Sequence, residues 1–160
     1  MTIRTSRPDD TERVIQIWEG AVEATHDFLA PSDRSVIEEE VRGFFPLAPL
    51  WMAVDGDDRG LGFMLLDGSQ LEALFVNPAC HRQGIGSDLL THAYSLHSII
   101  SVNVNEANAQ AAEFYRRHDF VEIGRSDRDS KGCSYPLLHL KRQEPMLAGG
   151  NSFDRNRSCQ

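Results

Sequence analysis

Two glycines set two apart, Gly84 and Gly86, stand where an apolar run hands over to a helical pattern. The run is LEALFV, residues 71–76, and the pattern opens in GIGSDLL, residues 84–90, with NPACHRQ between them. Glycine at a helix mouth costs backbone entropy, so its presence there asks for a bare backbone. A strand that enters a helix through such a turn predicts a mixed α/β architecture. It also predicts an anion cradle, because a helix start presents unbonded amides and the positive end of its dipole.

The spacing excludes two familiar cradles. A Walker loop ends in Gly-Lys-Ser/Thr, and no lysine follows either glycine. A dinucleotide fingerprint needs a third glycine where Leu89 stands. A glycine-softened helix start that binds nothing is the plain alternative.

The rest of the chain supplies the context. TIRTSR reads as a strand closed by Pro8, and Asp9 or Asp10 then caps a helix, with Glu12 completing a capping box. Val14, Ile17, Trp18, Ala21 and Val22 form its apolar stripe. A second helix starts near Ser32 or Ser35, with Ser35 and Glu38 as another box, and buries Ile37, Val41, Phe44 and Phe45. LWMAVD, LGFMLLD and QLEALFV are short strands broken by GDDRG and GS. Leu89, Ala93 and Leu96 mark a third helix, IISVNV a strand and NEANAQAAEFYRRHDF a fourth helix, with basic residues suited to its C-terminal end. FVEIGRSD and YPLLHLKR close as a hairpin. The expected order is β-α-α-β-β-β-α-β-α-β-β: an α/β fold with a mostly antiparallel sheet of about six to seven strands flanked by four helices. Residues 1–143 are expected to form one domain, and the aperiodic residues 144–160 a disordered tail.

Composition narrows the partners. The formal net charge of −8 and the pI near 5.2 argue against nucleic acid, which needs a basic footprint. No stretch approaches membrane-spanning length, and no apolar leader follows MTIRTSRPDD, so a soluble cytoplasmic protein is expected. Cys80, Cys133 and Cys159 are scattered without metal spacing and suggest neither a metal site nor a disulfide framework. Trp18 and Trp51 read as core, and EEE at 38–40 as a solvated helix face.

ALFVNPACHRQGIGSDLL resembles the acyl-coenzyme A loop of the GNAT superfamily of N-acyltransferases, and NEANAQAAEFYRRHDF resembles that family's fourth helix. The likeness covers roughly residues 2 to 142. Within the superfamily the chain is similar to small bacterial acetyltransferases carrying ATHDFL early and YPLL late. The resemblance implies acetyl-coenzyme A as cosubstrate, no metal, and a small-molecule or peptide amine as acceptor; homodimers are common in such folds. It implies that backbone amides of the loop, His81, Arg82, Gln83, Gly84, Ile85, Gly86 and Ser87, grip the pyrophosphate. It also implies that Phe75 and Val76 offer backbone groups to the pantetheine arm, one amide there serving the oxyanion, and that Asn108 reaches the pantetheine.

Two departures stand out. His81 occupies a place where the family usually has glutamine or arginine, and Asp119 replaces the usual glycine after the fourth helix. Aspartate tolerates a left-handed cap, so the second change is mild.

Acyl transfer from a thioester to an amine needs a base, oxyanion donors and help for the leaving thiolate. Tyr115 is the expected donor to sulfur; filling the core beside Phe114 is its plain alternative. Glu72 is one candidate base, unless it is only the solvent-side residue of its strand. His26 is the other, unless it merely caps. Asp27 could attract a cationic amine, and Tyr135 and His139 could line the acceptor pocket. With no cysteine placed as an acyl relay, direct attack in a ternary complex is expected. The rival is a non-catalytic acyl-coenzyme A sensor, which turnover of any amine would separate from an enzyme.

Overall fold

The computed structural model describes residues 1–25, 30–80, 82–129 and 132–143. They fall into two compact units, residues 1–67 with 71–93, and residues 68–70 with 94–143. Among the described residues, seven strands and four helices follow one another in the expected order: β1 (Thr2–Thr5), α1 (Thr11–Thr25), α2 (Pro31–Phe44), β2 (Trp51–Val54), β3 (Gly60–Asp67), β4 (Gln70–Val76), α3 (Ile85–Leu96), β5 (Ile99–Asn105), α4 (Ala109–Arg117), β6 (Val121–Ser126) and β7 (Leu137–Gln143).

In the first unit the strands lie in the order β1-β2-β3-β4, with β1 antiparallel to β2 and β2 antiparallel to β3. The stripe on α1 behaves as its spacing requires. Val14, Ile17, Trp18, Ala21 and Val22 are all buried, in a core shared with Val41, Phe45, Leu50, Met52 and Phe63. Burying each large side chain contributes about 1.5–3 kcal/mol. Phe45 and Phe63 meet edge to face with centroids 5.2 Å apart.

Several expectations for these helices need correction. The chain enters α1 through a 3₁₀ turn, Pro8–Asp10, and Asp10 reaches back to accept the Arg7 amide at 2.7 Å. The reciprocal contact therefore joins residues 7 and 10, and Glu12 is left exposed. α2 starts one step before Ser32, with Pro31 in its first turn, where a fixed φ suits the helix and no amide is wasted. Ser35 lies inside that helix and donates to the Pro31 carbonyl at 3.1 Å, while Glu38 pairs with Arg42. Phe44 is exposed, because the 3₁₀ turn Phe45–Leu47 rotates the chain and buries Phe45 instead. Leu96 is exposed too, at the last turn of α3. Trp18 is core as expected; Trp51 is half-buried and packs at a tilt against His92, ring centroids 4.2 Å apart.

In the second unit the order is β5-β7-β6, antiparallel at both steps. Ile100, Val102, Val104, Leu138 and Leu140 are buried, and Ala112 and Tyr115 of α4 are buried with them. Alternation sends Asn103 and His139 to the opposite face. β6 ends the row with Val121 and Ile123 exposed, and its register slips between Glu122 and Gly124, a bulge opposite His139.

Candidate active site

The first unit builds the turn between β4 and α3. Asn77 closes β4 by donating its amide to the Leu61 carbonyl at 2.8 Å, and its side-chain oxygen accepts the Ala79 amide at 3.2 Å. A 3₁₀ turn, Pro78–Cys80, follows. Arg82 and Gly84 then adopt left-handed backbone, φ 66° and 79°. Left-handed residues turn successive amides toward one concavity, the geometry that binds anions. Gly84 bears no side chain over it, and a Cβ there would meet nothing within 4 Å. The first bond of the α3 ladder runs from the Asp88 amide to the Gly84 carbonyl at 2.9 Å. Ile85 and Gly86 precede it, and no described residue accepts from their amides. The concavity therefore fits a pyrophosphate by its backbone donors alone.

Two further glycines hold this turn in place. A Cβ on Gly62 would lie 2.9 Å from the Phe75 carbonyl oxygen and 3.1 Å from Ile85 Cγ2. One on Gly20 would lie 3.3 Å from Pro78 Cδ. The bare backbone of β3 thus sets Phe75 and the start of α3, and α1 approaches the loop through Gly20. Phe75 packs against the core and on the Phe63 ring at 5.6 Å. Alternation gives Val76 and Leu74 the other face of β4, together with Glu72, which is exposed.

The second unit holds Asn108 and Tyr115 on α4. Asn108 is buried and caps the helix, its Oδ1 accepting the Ala111 amide at 3.1 Å. Tyr115 lies between Phe114 and Phe120, both rings edge-on at 5.2 Å, and is 6% exposed. Burial pushes its hydroxyl well above the ordinary phenol value, with a lesser contribution from Tyr94. It stays a protonated donor at any physiological pH, and no described residue hydrogen-bonds it. The side chain thus fills the core beside Phe114, as the plain alternative has it, while its hydroxyl keeps a proton to donate. The helix closes with the Phe120 amide on the Tyr115 carbonyl at 3.1 Å, and Asp119 takes the left-handed cap at φ 70°.

Of the remaining candidates, His26, Asp27 and His81 lie outside the described residues, as does the segment 144–160. His139 sits on β7 with both ring nitrogens engaged: Nδ1 is 2.7 Å from Asn103 Oδ1 and Nε2 is 2.7 Å from Ser126 Oγ. Asn103 and Ser126 carry no signal in the sequence, because only the pairing of three strands brings them to the histidine.

Comparison with known proteins agrees with this architecture. The model of the acetyltransferase (GNAT) domain matches residues 46–122. A peptidyl-lysine N-acetyltransferase, YjaB of Salmonella typhimurium, is 47% identical over 88% of this chain and 97% of its own length. The chain therefore belongs to the GNAT family of acetyltransferases. The solution structure of apo YjaB from Escherichia coli superposes with a TM-score of 0.86 at 44% identity, covering 90% of this chain and 98% of that one. At 16% identity the fold also matches yncA from Salmonella typhimurium, solved with its cofactor acetyl-CoA, at a TM-score of 0.61 over 94% of this chain and 98% of that one.

Proposed function

We propose that this enzyme moves the acetyl group of acetyl-coenzyme A to the ε-amine of a peptidyl lysine by direct attack in a ternary complex. The observation that carries the choice of acceptor is the 47% identity to a peptidyl-lysine N-acetyltransferase across nearly its whole length. Residues 1–143 act as the acetyltransferase domain. We assign the reaction to the cytoplasm, a reducing compartment suited to the free thiols of Cys80 and Cys133.

The loop from Arg82 to Ser87 holds the pyrophosphate through its amides, Phe75 and Val76 offer backbone groups to the pantetheine, and Asn108 offers its side-chain amide. A neutral amine attacks the thioester carbonyl, the carbon–sulfur bond breaks, and coenzyme A leaves. An ordinary thiol titrates near 8.5 and a phenol near 10. With its own value raised further by burial, Tyr115 gives the sulfur a hydrogen bond rather than a full proton. The thiolate takes its proton from the amine nitrogen as the amide forms. Glu72 and His26 are retained as candidates to accept the first proton of the ammonium.

The test is calorimetric titration of acetyl-coenzyme A and of coenzyme A, followed by a thiol-release assay on lysine peptides. Both ligands should bind. Release should fall by roughly 10²–10³ in Tyr115→Phe, the range of one lost transition-state hydrogen-bond donor, with acetyl-coenzyme A affinity unchanged. Absence of binding would overturn the assignment, and binding without release from any amine would leave a sensor.

A further inference from the structure

Two of the large apolar residues that the protein leaves in solvent stand two residues apart on one edge strand. Val121 and Ile123 of β6 are 61% and 60% exposed. β7 pairs with one side of β6, and no described strand lies on the other. That side presents a row of backbone donors and acceptors, a template for a further strand. Proline and lysine, which blunt many natural edges, are absent from β6. We infer that a second copy of this chain docks there, β6 against β6, antiparallel about a two-fold axis, with Glu122 of each copy opposite Arg125 of the other.

The bulge makes the strand self-complementary. A two-fold axis normal to the sheet leaves each face on its own side, so every residue must meet one from its own face. In a regular strand Glu122 and Arg125, three apart, would lie on opposite faces and could not meet. The extra residue between Glu122 and Gly124 changes the count. Glu122 stands opposite Leu140 and Arg125 opposite Leu138, and those leucines, two apart, share a face of β7. Val121 and Ser126 agree in the same way, opposite Lys141 and Leu137. A register centred between Ile123 and Gly124 therefore matches Val121 with Ser126 and Glu122 with Arg125, each twice. Ile123 of each copy falls against Gly124 of the other, where no side chain obstructs it, and the two isoleucines meet beside the axis.

Charge selects this partner and this register. Within one chain Glu122 pairs with Arg116 at 3.7 Å, and Arg125 with Glu106 at 2.7 Å. All four side chains are half exposed, and surface pairs of this kind are weak enough to share their charges. Docking joins them into one row of alternating sign: Arg116 and Glu122, then Arg125 and Glu106 of the second copy. Symmetry forms that row twice. A register centred on Glu122 or on Arg125 would instead set like charges directly opposite each other, which disfavours it. The interface uses no residue of the acetyl-transfer assignment and stands independently of it.

Sedimentation velocity on the full chain across a concentration series is the test. The wild type should move from monomer toward twice the chain mass as concentration rises. Ile123→Lys puts two like charges at the axis and should sediment as a monomer throughout. Its circular-dichroism spectrum should be unchanged, because the residue is exposed. Glu122→Arg and Arg125→Glu should each be monomeric alone. An equimolar mixture of the two should recover the dimer, since both cross-strand pairs are then opposite in sign. Ile123→Cys should form a disulfide-linked dimer under mild oxidant, above the background of the native cysteines. A wild type that stays monomeric at every concentration would overturn the interface. So would a dimer that survives Ile123→Lys, or a mixture of the two charge variants that remains monomeric.

Discussion

The Arg4 guanidinium grips both oxygens of Asp10, Nη1 to Oδ2 at 2.8 Å and Nη2 to Oδ1 at 3.0 Å. That bond, opposed by burial and helped by the Arg7 amide, holds the Asp10 carboxyl below its ordinary value. A depressed carboxyl stabilises the fold above the unfolded value, about 3.9, and the benefit is lost as pH falls through the folded value. Melting temperature should therefore drop below about pH 4 in the wild type, and Asp10→Asn should flatten that part of the curve. At neutral pH, Asp10→Ala should cost roughly 1–2 kcal/mol, since it removes two bonds from a guanidinium that keeps Asp58 and the Thr5 carbonyl as partners. Circular-dichroism melts from acid to neutral pH check both.

Glycines in this chain should respond oppositely to alanine. Gly62→Ala puts a methyl 2.9 Å from the Phe75 carbonyl, where backbone must give. It should cost about 1–3 kcal/mol and raise the KM for acetyl-coenzyme A more than it lowers kcat. Gly43 lies in α2 with nothing within 4 Å of its Cβ position. Gly43→Ala should stabilise by about 0.5–1 kcal/mol and leave the kinetics alone. Denaturant melts and initial rates on the two variants decide it.

Asn108 has two functions that one pair of substitutions separates. Its Oδ1 caps α4 through the Ala111 amide, and its side-chain nitrogen is the group assigned to the pantetheine. Asn108→Asp keeps a good cap but loses the donor; it should retain stability and weaken coenzyme A binding. Asn108→Ala should lose about 1 kcal/mol of stability as well. Equal coenzyme A affinity in Asn108→Asp and wild type would remove Asn108 from the binding site.

Asp119 holds a left-handed cap at φ 70°, a conformation glycine adopts without strain. Asp119→Gly should therefore raise stability by about 0.5–1 kcal/mol, the relief at the cap being partly offset by the looser unfolded chain. Acetyl-transfer rates should not change. Thermal melts and thiol release on the same preparation test it.

The elements that alternate or repeat within a few residues were legible without coordinates. The α1 stripe, the buried face of β5, the fourth helix with its Asp119 cap and the glycine turn into α3 all follow from local spacing. Helix starts were less so. Ser35 has the right identity for a cap, but Pro31 started the helix first, and Phe44 yielded its core place to Phe45 when a 3₁₀ turn broke the helical period. The Asn103–His139 contact joins strands far apart in the chain, and no local pattern encodes which residue of β5 will face which residue of β7. The motif pointed to Tyr115 as a candidate; its depth of burial, and hence the retention of its proton, needed the packing of Phe114 and Phe120.

The contact between Gly20 and Pro78 ties two distant stretches of the gene into one unit of inheritance. Any side chain gained at position 20 presses on the proline ring 3.3 Å away, and the loop that ring opens is the one assigned to the pyrophosphate. Drift on the solvent side of α1 is free, but position 20 can change only together with the loop. A substitution there would be read by selection as a change to the loop assigned to the pyrophosphate, though it lies far from that loop in the chain.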